Sequence, residues 1–314
     1  MIIPLGISRE LCATTEELVA TALSGWSVSP AGDVIVGGVP QAGTTRRLSD
    51  LLTGISADGR GCLVYLADMA AARAAVARGD DPVLYRAYRD ILSPRAKPGA
   101  HDPASSAGTD YWFADLVIYQ GGQLPGSQEL TRSVGHWNTP AQLEVFQCLS
   151  GRVLILSSTR DALGRRGLTY QVCGPGELAV LELGAWHLTA VLTGPAAVFN
   201  IYTDAHTLGH GHTSRDAAEQ DHLKYHSRAP VQIAAVHTDQ GIALIGDPSE
   251  LGIQPRILQA STPQWARGLL GPGGLAALYQ HAPDAELAQL LRLALAHSPQ
   301  PRARLAATIA GSTG

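Results

Sequence analysis

Gly135-His136-Trp137-Asn138-Thr139-Pro140-Ala141-Gln142-Leu143-Glu144, running on into Val145-Phe146-Gln147-Cys148-Leu149-Ser150-Gly151, is the stretch whose reading decides the fold. Alternate side chains of a β-strand share a face. A strand over 135–139 therefore turns His136 and Asn138 the same way, and a following strand over 142–149 does the same for Gln142 and Glu144. About one hairpin later comes Pro175-Gly176-Glu177-Leu178-Ala179-Val180-Leu181-Glu182-Leu183-Gly184-Ala185-Trp186-His187. Three strands so placed aim His136, Glu144 and His187 at one point inside a small barrel. Imidazole nitrogens and a carboxylate oxygen are what a first-row divalent metal takes as ligands. The pattern reads as a metal pocket.

Outward from this stretch the texture is all-β. Strands are expected over Tyr111–Tyr119, Glu144–Leu149, Arg152–Ser157, Leu168–Val172, Glu177–Leu183, Thr189–Leu192 and Ala197–Tyr202, separated by Gly-rich turns as a sandwich or barrel requires. A polar, His-rich loop follows from His206 to His212, and Val231–Val236 with Gly241–Ile245 forms a closing hairpin.

Upstream, a short helix is expected over Thr14–Leu23 and a strand over Asp33–Gly38. Asp58-Gly59-Arg60-Gly61 marks a turn before a strand over Cys62–Leu66. Asp68–Ala77 is helical by its alanine content and closed by Arg78-Gly79. In the run Val83–Arg89, Tyr85 and Arg89 share a face if it is a strand, and Ser93–Thr109 reads as an exposed loop.

From Thr262 the chain turns helical. Pro263 sits in the first turn of one helix, and Leu287, Leu290, Leu291 and Leu295 make an apolar stripe on another, packed on its own barrel or on a second subunit. The expected organisation is an N-terminal extension over 1–108, a barrel over 109–255 and a helical tail over 256–314.

Composition sets the bounds. At 314 residues, 45% hydrophobic and 16% charged, the chain has the makeup of a globular protein. Its net charge of −4 and the absence of a basic patch with interleaved aromatics argue against nucleic acid. Cys12, Cys62, Cys148 and Cys173 form no CxxC pair and read as free thiols of a reducing compartment. The first residues lack a basic, long apolar leader, and apolar runs are broken well short of a membrane span. A cytoplasmic protein is expected, with no membrane partner.

The spacing G-H-x-N-x5-E-x6-G, then PG-x10-H, resembles the two motifs of the cupin superfamily. The family pattern carries a second His where Asn138 stands and a Pro where Glu182 stands. Further blocks resemble the archaeal-type, cupin glucose-6-phosphate isomerases: Arg46-Arg47-Leu48-Ser49-Asp50, Gly79-Asp80 with Tyr85 and Tyr88, Val117-Ile118-Tyr119, Ser133-Val134-Gly135-His136, the Trp186-His187 block and Gly209-His210. They cover roughly residues 40–250.

The resemblance implies an all-β cupin jelly-roll barrel, a homodimer, and one divalent metal (Fe, Mn, Ni or Zn). His136, Glu144 and His187 match three ligand positions, and Asn138 stands at the fourth. An amide oxygen is harder than imidazole and shifts preference toward Mn or Fe. The family's Lys before Gly-His is here Val134, and its Tyr after the Glu is Phe146.

Aldose–ketose isomerisation moves a proton or hydride between adjacent carbons while their oxygens are polarised, which a metal supplies as Lewis acid. Glu144 is the candidate proton shuttle, with His210 as a second catalytic candidate. Tyr85, Ser133, Arg46 and Arg47 are candidates to bind hydroxyls or phosphate of a small-molecule substrate. The plainer alternatives are a surface ion-pairing role for Arg46-Arg47 and a core role for Tyr85. The function expected is a metal-dependent, isomerase-like enzyme acting on a sugar phosphate or related polyhydroxy or carbonyl compound. The alternatives are an Fe(II)-dependent cupin oxygenase, or a metal-free binding or scaffold protein.

Overall fold

The computed structural model describes residues 2–5, 25–28, 33–52, 64–96, 111–138, 142–160, 166–204, 232–247, 257–259, 261–268, 270 and 273–297. Two long strands organise it. Numbering strands in chain order, β9 (Glu144–Arg160) and β12 (Trp186–Asp204) pair antiparallel along their length, with register shifts between Val191 and Val198. Gly151 stands at the bend of β9 with φ of +70°, and a Cβ there would lie 2.6 Å from the Pro195 carbonyl oxygen. Only glycine permits so close a crossing.

The bend divides both strands between two layers. One layer holds β8 (His136–Trp137), the first half of β12, the second half of β9, then β10 (Arg166–Cys173) and β15 (Ile257–Gln259). The other holds β11 (Leu178–Val180), the first half of β9, the second half of β12, then β7 (Tyr111–Tyr119), β6 (Val83–Ala96) and β5 (Thr44–Arg47). Two facing layers of mostly antiparallel strands, joined by strands that pass from one to the other, make an all-β jelly roll.

Strand alternation sorts the core into three. Phe146, Cys148, Val198 and Val117 meet Val153, Ile155 and Val191 between the layers, closed at one end by Leu48 and Leu51 of α1 (Leu48–Leu52) and Ala72 and Ala75 of α2 (Met69–Ala77). Residues of the other parity face outward and are covered on both sides. Val145, Phe199, Ile201, Leu116 and Ile118 lie under α3 (Gln264–Arg267), α4 (Gly274–His281) and α5 (Asp284–His297), with Trp26 and Val34 of the small β2–β3–β4 sheet (Trp26–Val28, Val34–Val36, Val39–Pro40). Leu154, Leu156, Leu188 and Leu192 lie under β13 (Gln232–Thr238), β14 (Gly241–Asp247) and β1 (Ile2–Pro4). Among the described residues no helix is long and apolar enough to cross a membrane.

The helical tail packs on its own barrel. Tyr279 places its hydroxyl 3.0 Å from the Ser93 carbonyl and 2.9 Å from that of Trp112, and Gln147 Oε1 accepts from the Leu275 amide at 2.8 Å. Leu287 and Leu290, from the expected stripe, are buried.

Local differences from the sequence reading have physical causes. The segments expected as separate strands over 144–149 and 152–157, and over 189–192 and 197–202, are continuous strands that bend. Residues 93–96 of the expected loop belong to β6, where Arg95 and Ala96 pair with Trp112 and Tyr111 of β7 and the tail engages Ser93 and Arg95; the remainder of that loop lies outside the described residues. Residues 62 and 63 of the expected strand lie outside the described residues; Val64 and Leu66 are buried but Val64–Leu66 makes no ladder: the Tyr65 carbonyl accepts from Arg132 at 2.9 Å and the Ala67 amide donates to Glu129 at 2.6 Å. A side-chain ion pair thus satisfies backbone groups that a strand would have used. The helix expected over 14–23, the turn at 58–61 and the loop over 206–212 lie outside the described residues.

Candidate metal centre

His136 and His187 belong to one layer and Glu144 to the other, so the site bridges the barrel interior. His187 is the second residue of β12 and pairs in register with His136 of β8. Their ring centroids are 4.3 Å apart at 68°. Glu144 opens β9 opposite them, and its Oε2 lies 3.7 Å from His187 Nε2. One ligand atom from each residue lies within 4.8 Å of the other two, the one such cluster of His, Cys, Asp or Glu among the described residues.

Donors sharing a cation at about 2.0–2.2 Å sit at most about 4.4 Å apart. The set fits a first-row divalent ion with small side-chain adjustments. Two imidazoles and one carboxylate leave the remaining positions of such an ion open.

Local sequence explains why these groups meet. Gly135 has φ of +80°, and a Cβ there would stand 3.0 Å from the His187 carbonyl oxygen and from the Trp186 ring. Glycine lets β8 lie close against β12. Trp186 points the opposite way from His187, into the outer core. Phe146 meets the His187 ring edge-on at 5.3 Å between centroids. Arg132, buried with Glu129, donates to the carbonyls of Ser133 at 3.0 Å and Val134 at 3.4 Å, which braces the chain as it enters β8. Burial pushes the Glu129 carboxyl up, and the Arg132 charge opposes that shift.

The three groups open into a cavity of about 370 Å³. Tyr85, Ser133 and Arg46, singled out from the sequence, line it together with the triad. Tyr85 and Tyr119 pack at 5.3 Å between ring centroids. Burial raises both phenols, with Arg46 opposing at Tyr85 and the neighbouring Tyr85 adding at Tyr119, so both are neutral over the physiological range. The Tyr119 hydroxyl is bonded to the side chains of Thr189 and Ser133.

Of the other candidates, those among the described residues do not line the cavity. Arg47 does not line the cavity: its guanidinium donates to the Asp81 carbonyl at 2.8 Å. Asn138 and Gln142 are buried but are not cavity-lining residues. The Asn138 amide side chain has no hydrogen-bond partner among the described residues, while its backbone N–H donates to Ala185 at 2.9 Å. His210 lies outside the described residues.

The sequence reading missed Asn200 and Arg89. Asn200 lines the cavity and donates from Nδ2 to Glu144 Oε1 at 2.9 Å. Its signal was alternation: Ala196, Val198, Asn200 and Tyr202 share the inward face, and an amide among them is out of pattern. Arg89 shares a face with Tyr85, lines the cavity, and pairs with fully buried Asp115, whose other oxygen accepts from the Asp90 amide at 2.9 Å.

No protein-family model and no curated protein matches the chain. Solved structures to which it is similar include an oxalate decarboxylase variant from Bacillus subtilis, at 16% identity over 39% of this chain with a TM-score of 0.25. An oxalate oxidase aligns at 16% identity over 38% of this chain and 50% of its own, TM-score 0.26. KdgF from Halomonas sp. aligns at 10% identity over 38% of this chain and 78% of its own, TM-score 0.24. The chain spans 26% of the length of the oxalate decarboxylase.

Proposed function

We propose that this chain is a metal-dependent cupin enzyme, isomerase-like, acting on a sugar phosphate or a related polyhydroxy carbonyl compound. The observation that carries the reading is the convergence of His136, Glu144 and His187 on one point of a polar cavity. These three would hold a divalent cation, which when bound would supply a Lewis acid for a carbonyl or hydroxyl oxygen. Glu144, 3% exposed, holds or moves a proton at the adjacent carbon. Arg46 and Arg89 offer guanidinium groups to an anionic substituent, and Ser133, Thr189 and the two phenols line the space for hydroxyls. Phe146, packed on His187, excludes water from that side of the centre.

The test is turnover of fructose 6-phosphate and a panel of aldose and ketose phosphates by Mn(II)- or Fe(II)-reconstituted protein. Turnover by the wild type, lost in Glu144→Ala and His187→Ala, is the expected result. Failure across the panel removes the isomerase reading, and failure to bind stoichiometric metal removes the enzyme reading altogether.

A second reading rests on the ligand set itself. Two histidines and one carboxylate with open positions also suit an Fe(II) oxygenase, and substrate-dependent oxygen consumption by the Fe(II) form selects it over the first.

A further inference from the structure

We infer that Asn200 is the positioning residue of the centre: its amide fixes which oxygen of Glu144 is presented to the histidines. The inference rests on the reading of His136, Glu144 and His187 as a metal site and goes beyond it to a residue outside the ligand set.

Asn200 stands on the second half of β12, in the same layer as Glu144 and across the barrel from His187. Its Nδ2 donates to Glu144 Oε1 at 2.9 Å, while Oε2 is the oxygen 3.7 Å from His187 Nε2. The two carboxylate oxygens are thus divided, one toward the amide and one toward the imidazoles. The amide orientation follows from its partner, because turning it round would set Oδ1 against a carboxylate oxygen. Metal ligands are commonly oriented in this way by a hydrogen bond from a second residue.

A role in core packing alone does not explain the residue. Asn200 is 2% exposed, and its Oδ1 is buried without a hydrogen-bond partner among the described residues. Its inward neighbours on the strand, Val198 and Ala196, belong to an apolar cluster. A leucine of similar size would fill the position without a buried Oδ1, and what it would forfeit is the donor to Glu144 Oε1. The fold keeps an unsatisfied acceptor at this position, and the group gained is the donor on Glu144.

The experiment uses the full chain stripped of metal and titrated with Co(II), whose visible spectrum reports how the carboxylate is presented. Asn200→Leu removes the donor at near-constant volume. Asn200→Ser keeps a small polar group too short to reach Glu144, and decides the matter if the leucine variant does not fold. The expected result is Co(II) affinity lower by about 10–100-fold, with a spectrum displaced from wild type toward that of Glu144→Gln. Wild-type affinity and spectrum in a folded variant, whatever its thermal stability, overturn the inference. Absence of Co(II) binding in wild type overturns it together with the metal reading, an outcome told apart because it needs no variant.

Discussion

His136 and His187 stand directly opposite each other in the β8–β12 pair, with ring centroids 4.3 Å apart. Opposed residues of antiparallel strands share a face, so this pairing alone sends both imidazoles into the barrel. Glu144, at the start of β9, completes the set from the facing layer. The centre therefore depends on the spacing of the two layers as well as on the three side chains.

His136→Ala and His187→Ala are expected to lower Mn(II) affinity by more than the roughly 10–100-fold that loss of a supporting hydrogen bond costs. The same loss is visible without any substrate. Ligand at about a hundred times its Kd stabilises a folded protein by about 2.7 kcal/mol, so added Mn(II) raises the wild-type melting temperature and leaves both variants unmoved. Retention of stoichiometric Mn(II) by either variant, measured by elemental analysis, places the metal elsewhere.

Gly135→Ala tests the backbone that delivers His136. A left-handed alanine costs about 1–2 kcal/mol, and here the added methyl also meets the His187 carbonyl oxygen and the Trp186 ring at 3.0 Å. Gly176→Ala is the control, with φ of +83° and nothing within 4 Å. Both variants lose stability in urea titrations, while only Gly135→Ala loses Mn(II) affinity, because only there must β8 move off β12. Equal affinities in the two variants dismiss the close approach as a determinant of the site.

The triad was legible in the sequence because metal-ligand residue types recur at strand parity, and the Gly135 and Gly184 turns precede the strands that carry the two histidines. Asn200 and Arg89 were not, since each belongs to a strand whose facing partner the sequence does not name. The depth of the cavity depends on β5 and β6 lying beside β7, a pairing between distant segments. Arg47 illustrates the same limit: adjacent to Arg46 in sequence, it diverges by strand alternation and by the register shift between them. The packing of the tail was open between its own barrel and a second subunit, and side-chain bonds from Arg95 and Tyr279 tie it to the barrel.

Arg95 clamps that tail. It donates to the Tyr279 carbonyl at 2.6 Å and the Ala282 carbonyl at 2.8 Å, at the C-terminal end of α4, and it pairs with Asp284 at the start of α5. Arg95→Met keeps the apolar stem and removes these bonds. Stability is expected to fall by about 1.5–3 kcal/mol in urea unfolding, with Mn(II) affinity unchanged, since the clamp acts on the outer face of the barrel. A parallel fall in affinity contradicts that separation of roles.

Alkaline pH acts on the interior through its thiols. Burial pushes Cys148 and Cys173 up from 9.0 to about 12, Cys173 adding to the shift at Cys148 and Glu177 adding at both. Once unfolded, each thiol ionises near its ordinary value while the folded protein still holds the proton. Between about pH 9 and 12 the unfolded state therefore binds fewer protons, and stability falls as pH rises. Tyr85, Tyr119 and Tyr279, also raised by burial, act in the same direction but only from about pH 10, where unfolded phenols ionise. Urea midpoints of the wild type should thus decline from pH 9. Those of the Cys148→Ala, Cys173→Ala double variant, lower at neutral pH for the lost sulfur packing, should hold level to about pH 10 before declining. If the two curves run parallel between pH 9 and 10, the thiols are not the groups that titrate on unfolding.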